Sequence, residues 1–195
     1  MSVFFIADTH FHHKNIIKYC NRPFENAYQM NKALIKNWNL RVSKEDTVYV
    51  LGDFAFCGSE ELKKLVRKLN GTKYLILGNH DKGYQRYLDA GFKKVYDCPI
   101  IIDNFWILSH KPMFVNESMP YVNIFGHVHD NPTYASYGPN FFCVSADRIN
   151  FTPISFKEIE DRLEYCHAND CIVTLKSFIT KEDIYSQMSF SEVFN

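Results

Sequence analysis

Asp8 with His10, Asp53, Asn79 with His80, His110, and His127 with His129 stand in five separated segments of the chain. Their side chains offer carboxylate oxygens, an amide oxygen and imidazole nitrogens, the donors that hard and borderline divalent cations take. Leaving His80 out, the set holds two carboxylates, one amide and four imidazoles. That is too many donors for one four-coordinate ion and suits two ions sharing a carboxylate. Asp8 and His10, like His127 and His129, are spaced i, i+2. In an extended loop start such a pair can curl round one ion or separate to serve two. Gly52, Gly78 and Gly126 immediately precede Asp53, Asn79 and His127. A residue without Cβ permits a sharp turn and close backbone packing at those points.

The segments before most of these residues are apolar and rich in β-formers. Residues 3–7, 47–51 and 73–77 read as strands, and Asp8, Asp53 and Asn79 follow them. Helical periodicity occupies residues 28–40, 59–69 and 84–90, with one helical turn at 15–19. Ser59 is positioned to cap the second of these, whose buried stripe is Leu62, Leu65, Val66 and Leu69. Alternation of strand and helix implies a largely parallel sheet covered by helices, with ligands delivered at the C-terminal strand ends. The second half changes character. Strands are expected at 94–102, 105–109, 122–125, 141–145 and 149–152, and a helix at 155–163, which predicts a second sheet packed on the first. In the tail, residues 171–178 read as a strand and 181–188 as a short helix.

The chain has 195 residues, 46% of them hydrophobic, enough for one globular domain with a sizeable core. A formal net charge of zero argues against a general polyanion-binding surface. No apolar run approaches the roughly 20 residues that a membrane-spanning helix needs. The first seven residues lack a basic region and meet Asp8 too early for a signal peptide, so a cytoplasmic location is expected. The six cysteines form no C-x-x-C pair and are expected to be reduced thiols.

In order, the motifs are Asp8-Thr9-His10, Gly52-Asp53, Gly78-Asn79-His80-Asp81, His110 and Gly126-His127-Val128-His129. They resemble the D-x-H, G-D, G-N-H-[DE], H and G-H-x-H pattern of the calcineurin-like metallophosphoesterase superfamily, over roughly residues 1–163. The segments D-T-H-F-H-H-K-N-I-I, L-G-D-F, S-H-K-P and T-P-I-S look like a short bacterial and phage subgroup. The resemblance implies an α/β fold, a four-layer α/β/β/α sandwich of two packed mixed sheets flanked by helices. It implies a phosphoesterase domain at 1–165 and a C-terminal extension at 166–195. One divalent ion would be held by Asp8, His10, Asp53 and His129, and a second by Asp53, Asn79, His110 and His127. A bridging hydroxide would be the nucleophile, and His80 would protonate the leaving oxygen as the catalytic general acid. Manganese is the first choice of metal, with Fe, Zn, Ni or Co as alternatives. Some superfamily members have lost ligands and serve as scaffolds, but here every ligand position is filled.

The implied substrate is a small phosphoester, nucleotide-like in the first instance. A phosphodiesterase is the leading expectation, a phosphomonoesterase the alternative, and a nucleic-acid substrate is less favoured on charge. The sequence is silent on oligomeric state. His13 and Arg22, in a first loop that also carries His12 and Lys14, are candidate substrate contacts, Arg22 by a bidentate grip on phosphate. Lys111, Tyr134 and Tyr137 could border the same cleft. Phe54 and Phe56 either pack under the metal loop or line a wall for a base or aryl group. Asp81 either orients His80 or caps the turn that follows.

Overall fold

The computed structural model describes residues 1–168 apart from 117, 119, 120, 135–137 and 139. The tail elements expected at 171–178 and 181–188, with Cys171 and Tyr137, lie outside the described residues. The first sheet has the order β4-β3-β2-β1-β9, built from β1 (Val3–Ile6), β2 (Thr47–Val50), β3 (Thr72–Ile76), β4 (Lys94–Tyr96) and β9 (Ile154–Ser155). β1 to β4 run parallel, while β9 is antiparallel to β1. The second sheet has the order β5-β6-β7-β8, from β5 (Ile100–Ile102), β6 (Trp106–Leu108), β7 (Val122–Phe125) and β8 (Phe141–Cys143). Its β5–β6 pair is antiparallel and the other two pairs are parallel. These two mixed sheets, flanked by helices, form the α/β sandwich that the motifs imply.

The helices are α1 (Ile16–Tyr19), α2 (Ala27–Arg41), α3 (Ser59–Lys68), α4 (Tyr84–Ala90) and α5 (Phe156–Ala168). Asn26 caps α2 by accepting a hydrogen bond from Gln29 N at 2.9 Å. Met30, Leu34 and Trp38, each four residues apart, then bury one face of that helix. In α3, Gly58 occupies the cap position and makes no side-chain hydrogen bond, so Ser59 is the first helical residue and not the cap expected of it. At the start of α5, Ser155 and Glu158 form a reciprocal capping box, Ser155 N donating to Glu158 Oε2 at 2.9 Å and Glu158 N to Ser155 Oγ at 3.3 Å. α5 also joins the layers, because the Phe156 ring lies 5.7 Å from Phe5 of the first sheet and 4.8 Å from Trp106 of the second.

Two strand expectations are corrected. Residues 94–102 are not one strand but β4 and β5, which belong to different sheets. Asp97-Cys98-Pro99 separates them, and a proline has no N–H for a ladder. Residues 149–152 form a turn, with Asn150 and Phe151 in the left-handed region at φ 51° and 53°. The strand on that edge of β1 comes later, as β9.

What the fold achieves for function is a single shared end. Beyond the last paired residues, Ala7 N donates to Val144 O at 2.8 Å and Ala146 N to Ala7 O at 2.8 Å, so the two sheets are stitched together beside Asp8. The loops after β1 and β2 continue side by side, with Asp8 N on Gly52 O at 3.0 Å, His10 N on Asp53 O at 3.0 Å and Phe11 N on Phe54 O at 2.9 Å.

Candidate metal centre

The C-terminal ends of β1, β2, β3, β6 and β7 deliver all seven expected ligands, and His80, to this shared end. Asp8, His10, Asp53 and His110 are buried, whereas Asn79 and His80 are exposed at the mouth. The backbone departs from the extended geometry expected of the i, i+2 pairs. Asp8, His10, Asp53, His127 and His129 all adopt left-handed φ values, at 55°, 49°, 53°, 72° and 48°. Asn, Asp and His are the non-glycine types that tolerate this region best. The left-handed kinks end each strand abruptly and turn the ligand side chains inward. All three preceding glycines are required by contact, a Cβ on Gly78 falling on the Asp53 carboxylate and backbone N. A Cβ on Gly52 would fall on the His110 ring and the Gly78 backbone, and one on Gly126 would strike Ala7 and the Asp8 carboxylate.

Asp53 Oδ2 stands 3.6 Å from His10 Nε2 and 3.6 Å from His110 Nε2. Its other oxygen accepts a hydrogen bond from His80 N at 2.9 Å. His110 Nδ1 lies 2.8 Å from the carbonyl oxygen of Leu51, so that nitrogen carries the ring proton and Nε2 presents a lone pair. That nitrogen faces another acceptor, Asn79 Oδ1, at 2.9 Å and lies 3.2 Å from His127 Nδ1, so donor atoms converge with no proton assigned between Nε2 and Oδ1. On the other side, Asp8 Oδ1 and His10 Nε2 are buried and have no hydrogen-bond partner. The ligand atoms of Asp8, His10 and His129 lie within 4.8 Å of one another, as do those of Asp8, Asp53 and His110. Orphaned acceptors in a buried site carry a large desolvation cost unless a cation or proton meets them. The residues present therefore fit divalent metal ions.

The electrostatics agree. Burial pushes Asp8 up to about 6, partly countered by His129, His110 and the Ser145 hydroxyl. His10 is driven strongly down, by burial and by His129 and Arg22, so it is a neutral imidazole with a free lone pair. His127 is lowered by burial and by His110. Burial also opposes charge on His129, yet its hydrogen bond to Asp147, with Cys20 and the Asp8 charge, pushes it up to about 10. A metal ion there would replace the proton.

The family model for calcineurin-like phosphoesterases matches residues 1–176. The chain belongs to the calcineurin-like phosphoesterases. It is thus a hydrolase of phosphoric esters that uses divalent metal. An uncharacterised protein of Methanocaldococcus jannaschii is 38% identical over 176 residues, covering 83% of this chain and 91% of that one. The gene 66 protein of Mycobacterium phage D29 is 36% identical over 92 residues, 46% of this chain and 45% of its own. Among solved structures, a protein of unknown function from Aquifex aeolicus superposes with a TM-score of 0.65 at 28% identity, covering 82% of this chain and 98% of that one. No helix among the described residues is long and apolar enough to cross a membrane.

Around the phosphoesterase centre, several side chains take places that the sequence left open or put elsewhere. Asp81 neither orients His80 nor caps the next turn. Its Oδ2 accepts from Asp53 N at 2.7 Å and Gly78 N at 2.9 Å, and its Oδ1 from Phe54 N at 3.0 Å and Tyr87 Oη at 2.6 Å. It thereby clamps the loop after β2 to the loop after β3. Phe54 is fully buried beneath the loop against Phe11 and Phe92, whereas Phe56 is 37% exposed at the mouth. The Phe56 ring stacks on His13 at 4.0 Å and lies 5.3 Å from His80. His13 is half-buried with its Nδ1 3.3 Å from His10 Nδ1. Arg22 corrects the sequence reading, because it is buried and spends its donors on Asp147 and on the carbonyls of Asp8 and Thr9 rather than facing substrate. Lys111 and Tyr134 are exposed. Asp147, in the 3-10 turn Ala146–Arg148 after β8, was missed altogether. The signal was present, a carboxylate just beyond a strand end, but no motif points to it.

Two outcomes follow for the metal-free protein. His127→Gly is expected to be more stable than His127→Ala by about 1 kcal/mol in urea unfolding, since both lose the imidazole and only alanine keeps the left-handed strain. Protonation of Asp8 competes with metal, so the rise in Tm on adding Mn²⁺ should be larger at pH 7.5 than at pH 5.5. Equal rises at the two values would mean that Asp8 is not a ligand.

Proposed function

We propose that this chain is a dinuclear-metal phosphodiesterase of the cytoplasm, acting on a small, nucleotide-like diester and loaded with manganese. Asp8, His10, Asp53 and His129 would hold one ion, and Asp53, Asn79, His110 and His127 the other. The observation that carries this reading is Asp53 Oδ2, equidistant at 3.6 Å from the Nε2 atoms of His10 and His110. Two divalent ions, when bound, supply charge neutralisation for the phosphoryl group and an activated water near neutral pH.

The chain's own residues do the rest. Two dications against the carboxylates of Asp8 and Asp53 leave two positive charges, suited to a diester monoanion with one further anion. An alkoxide is a poor leaving group and needs a proton as the ester bond breaks. His80 is the donor in this reading. Its ring is exposed beside the centre, 5.7 Å from the His10 ring, and its backbone N–H is tied to Asp53 Oδ1. Phe56, with His13 stacked behind it, offers a planar wall on the same side as His80 for the group that departs.

The first test is turnover of bis-p-nitrophenyl phosphate against p-nitrophenyl phosphate in Mn²⁺-loaded protein. Faster diester turnover is expected, faster monoester turnover would make it a phosphomonoesterase, and inactivity on both across several metals would favour a scaffold. The second test is His80→Ala. It should keep both ions by elemental analysis, slow alkyl diesters by roughly 10²–10⁴-fold and slow p-nitrophenyl esters much less, because p-nitrophenolate needs little protonation. Equal slowing of both ester types would remove His80 from the role of acid.

A further inference from the structure

We infer that Asp147, clamped by Arg22, is a positioning residue for His129, and that this pair sets metal affinity at the Asp8–His10–His129 half of the centre and not at the other. The inference rests on the dinuclear reading. Asp147 is nearly sealed from solvent, its side chain 4% exposed and that of Arg22 0%. The Arg22 guanidinium grips it with both nitrogens of one edge, Nε to Oδ1 at 2.8 Å and Nη2 to Oδ2 at 2.8 Å. Such a fork fixes the plane of the carboxylate as well as its position. Asp147 Oδ2 also lies 2.8 Å from His129 Nδ1. An ionised carboxylate can only accept, so Nδ1 holds a proton and Nε2 is the nitrogen that would present its lone pair to a metal ion displacing the other proton.

Arg22 extends the same hold to the neighbouring ligand loop. Nη2 donates to the carbonyl of Asp8 at 2.7 Å and Nη1 to that of Thr9 at 3.0 Å. One buried ion pair thus fixes both the loop after β1, which carries Asp8 and His10, and the turn after β8 that orients His129. The second half of the centre is built differently. His110 Nδ1 is held by the Leu51 carbonyl, a neutral acceptor. A charged partner makes its imidazole a stronger donor than a neutral one does. The asymmetry assigns the brace to one ion.

Chelator-stripped full-length protein titrated with Mn²⁺ by calorimetry tests this. The wild type should show two binding events. Asp147→Ala should weaken one of them by about 10–100-fold and leave the other unchanged. Asp147→Asn should lose less, because its amide oxygen still accepts from Nδ1. Added to His129→Ala, Asp147→Ala should cost nothing further. Since the single variants strand the buried Arg22 charge, the pair is also removed together as Arg22→Met with Asp147→Leu, which avoids that penalty and should weaken the same event. Undiminished affinity in the variants, equal weakening of both events, or a further loss in the His129→Ala background would overturn the inference. Uptake of only one ion by the wild type would instead overturn the dinuclear reading. The brace would then stand if that ion weakened in Asp147→Ala, and fall if it did not.

Discussion

The backbone must turn left-handed at the ends of β1 and β7 and just past β2, and the rest of the centre is arranged around that constraint. Five ligand-type residues hold φ between 48° and 72°. Each such turn costs roughly 1–2 kcal/mol for an L-residue with a Cβ, though Asp and His suffer least. Several kcal/mol of local strain therefore has to be overcome by the surroundings. Asp81 is the main restraint. Its one carboxylate takes three backbone N–H groups and a tyrosine hydroxyl, and two of those N–H groups belong to Asp53 and Phe54. Asp8 does the same across the sheets, its Oδ2 receiving His127 N at 2.7 Å and the Ser145 hydroxyl. Carboxylates are here structural ties, Asp81 with both oxygens and Asp8 with one, and only Asp8 Oδ1 is left without a partner.

That division explains the charge pattern. Asp8 gives one oxygen to the fold and leaves Oδ1 without a partner in a fully buried place. Its pKa, raised to about 6, reflects the cost of ionising there. The same burial keeps His10 neutral. A divalent cation bound there would meet the Asp8 oxygen and the His10 nitrogen that the fold leaves without partners. Such a cation would offset the desolvation cost of those groups, which would link metal binding to local order.

Most of this was legible from spacing. Donor residues directly after apolar runs, with glycine before three of them, predict convergence at one end of a parallel sheet, and the strand pairing bears this out. What sequence could not reveal is where pairing changes sheet. The run from Lys94 to Ile102 is uniformly β-forming apart from Asp97-Cys98-Pro99, and periodicity alone gives no reason to end one sheet and begin another there. Arg22 was misread for a related reason. A lone arginine in a basic loop reads as a surface cation, and its partner Asp147 lies 125 residues away in a turn that carries no motif. Long-range ion pairs leave no trace in local pattern. Phe54 and Phe56 illustrate the limit on a smaller scale, two identical residues of which one is fully buried and the other stands at the mouth.

The position of His80 ties these threads together. Its backbone N–H donates to Asp53 Oδ1 while Asp53 Oδ2 points between His10 and His110. One carboxylate thus ties the His80 backbone to the middle of the ligand cluster. His80 is exposed, as is Asn79 beside it, while Asp8, His10, Asp53 and His110 are buried, and Phe56 and the lowered His13 line its side of the cleft. A proton donor must exchange with water between turnovers, and a ligand must not. Burial of Asp8, His10, Asp53 and His110 and exposure of His80 would divide those tasks between the floor of the centre and its mouth. Asn79 and His80 follow the same strand, Asn79 Oδ1 lying 2.9 Å from His110 Nε2 and the His80 ring 5.7 Å from that of His10, so neighbouring positions of one turn reach two different candidate ligands.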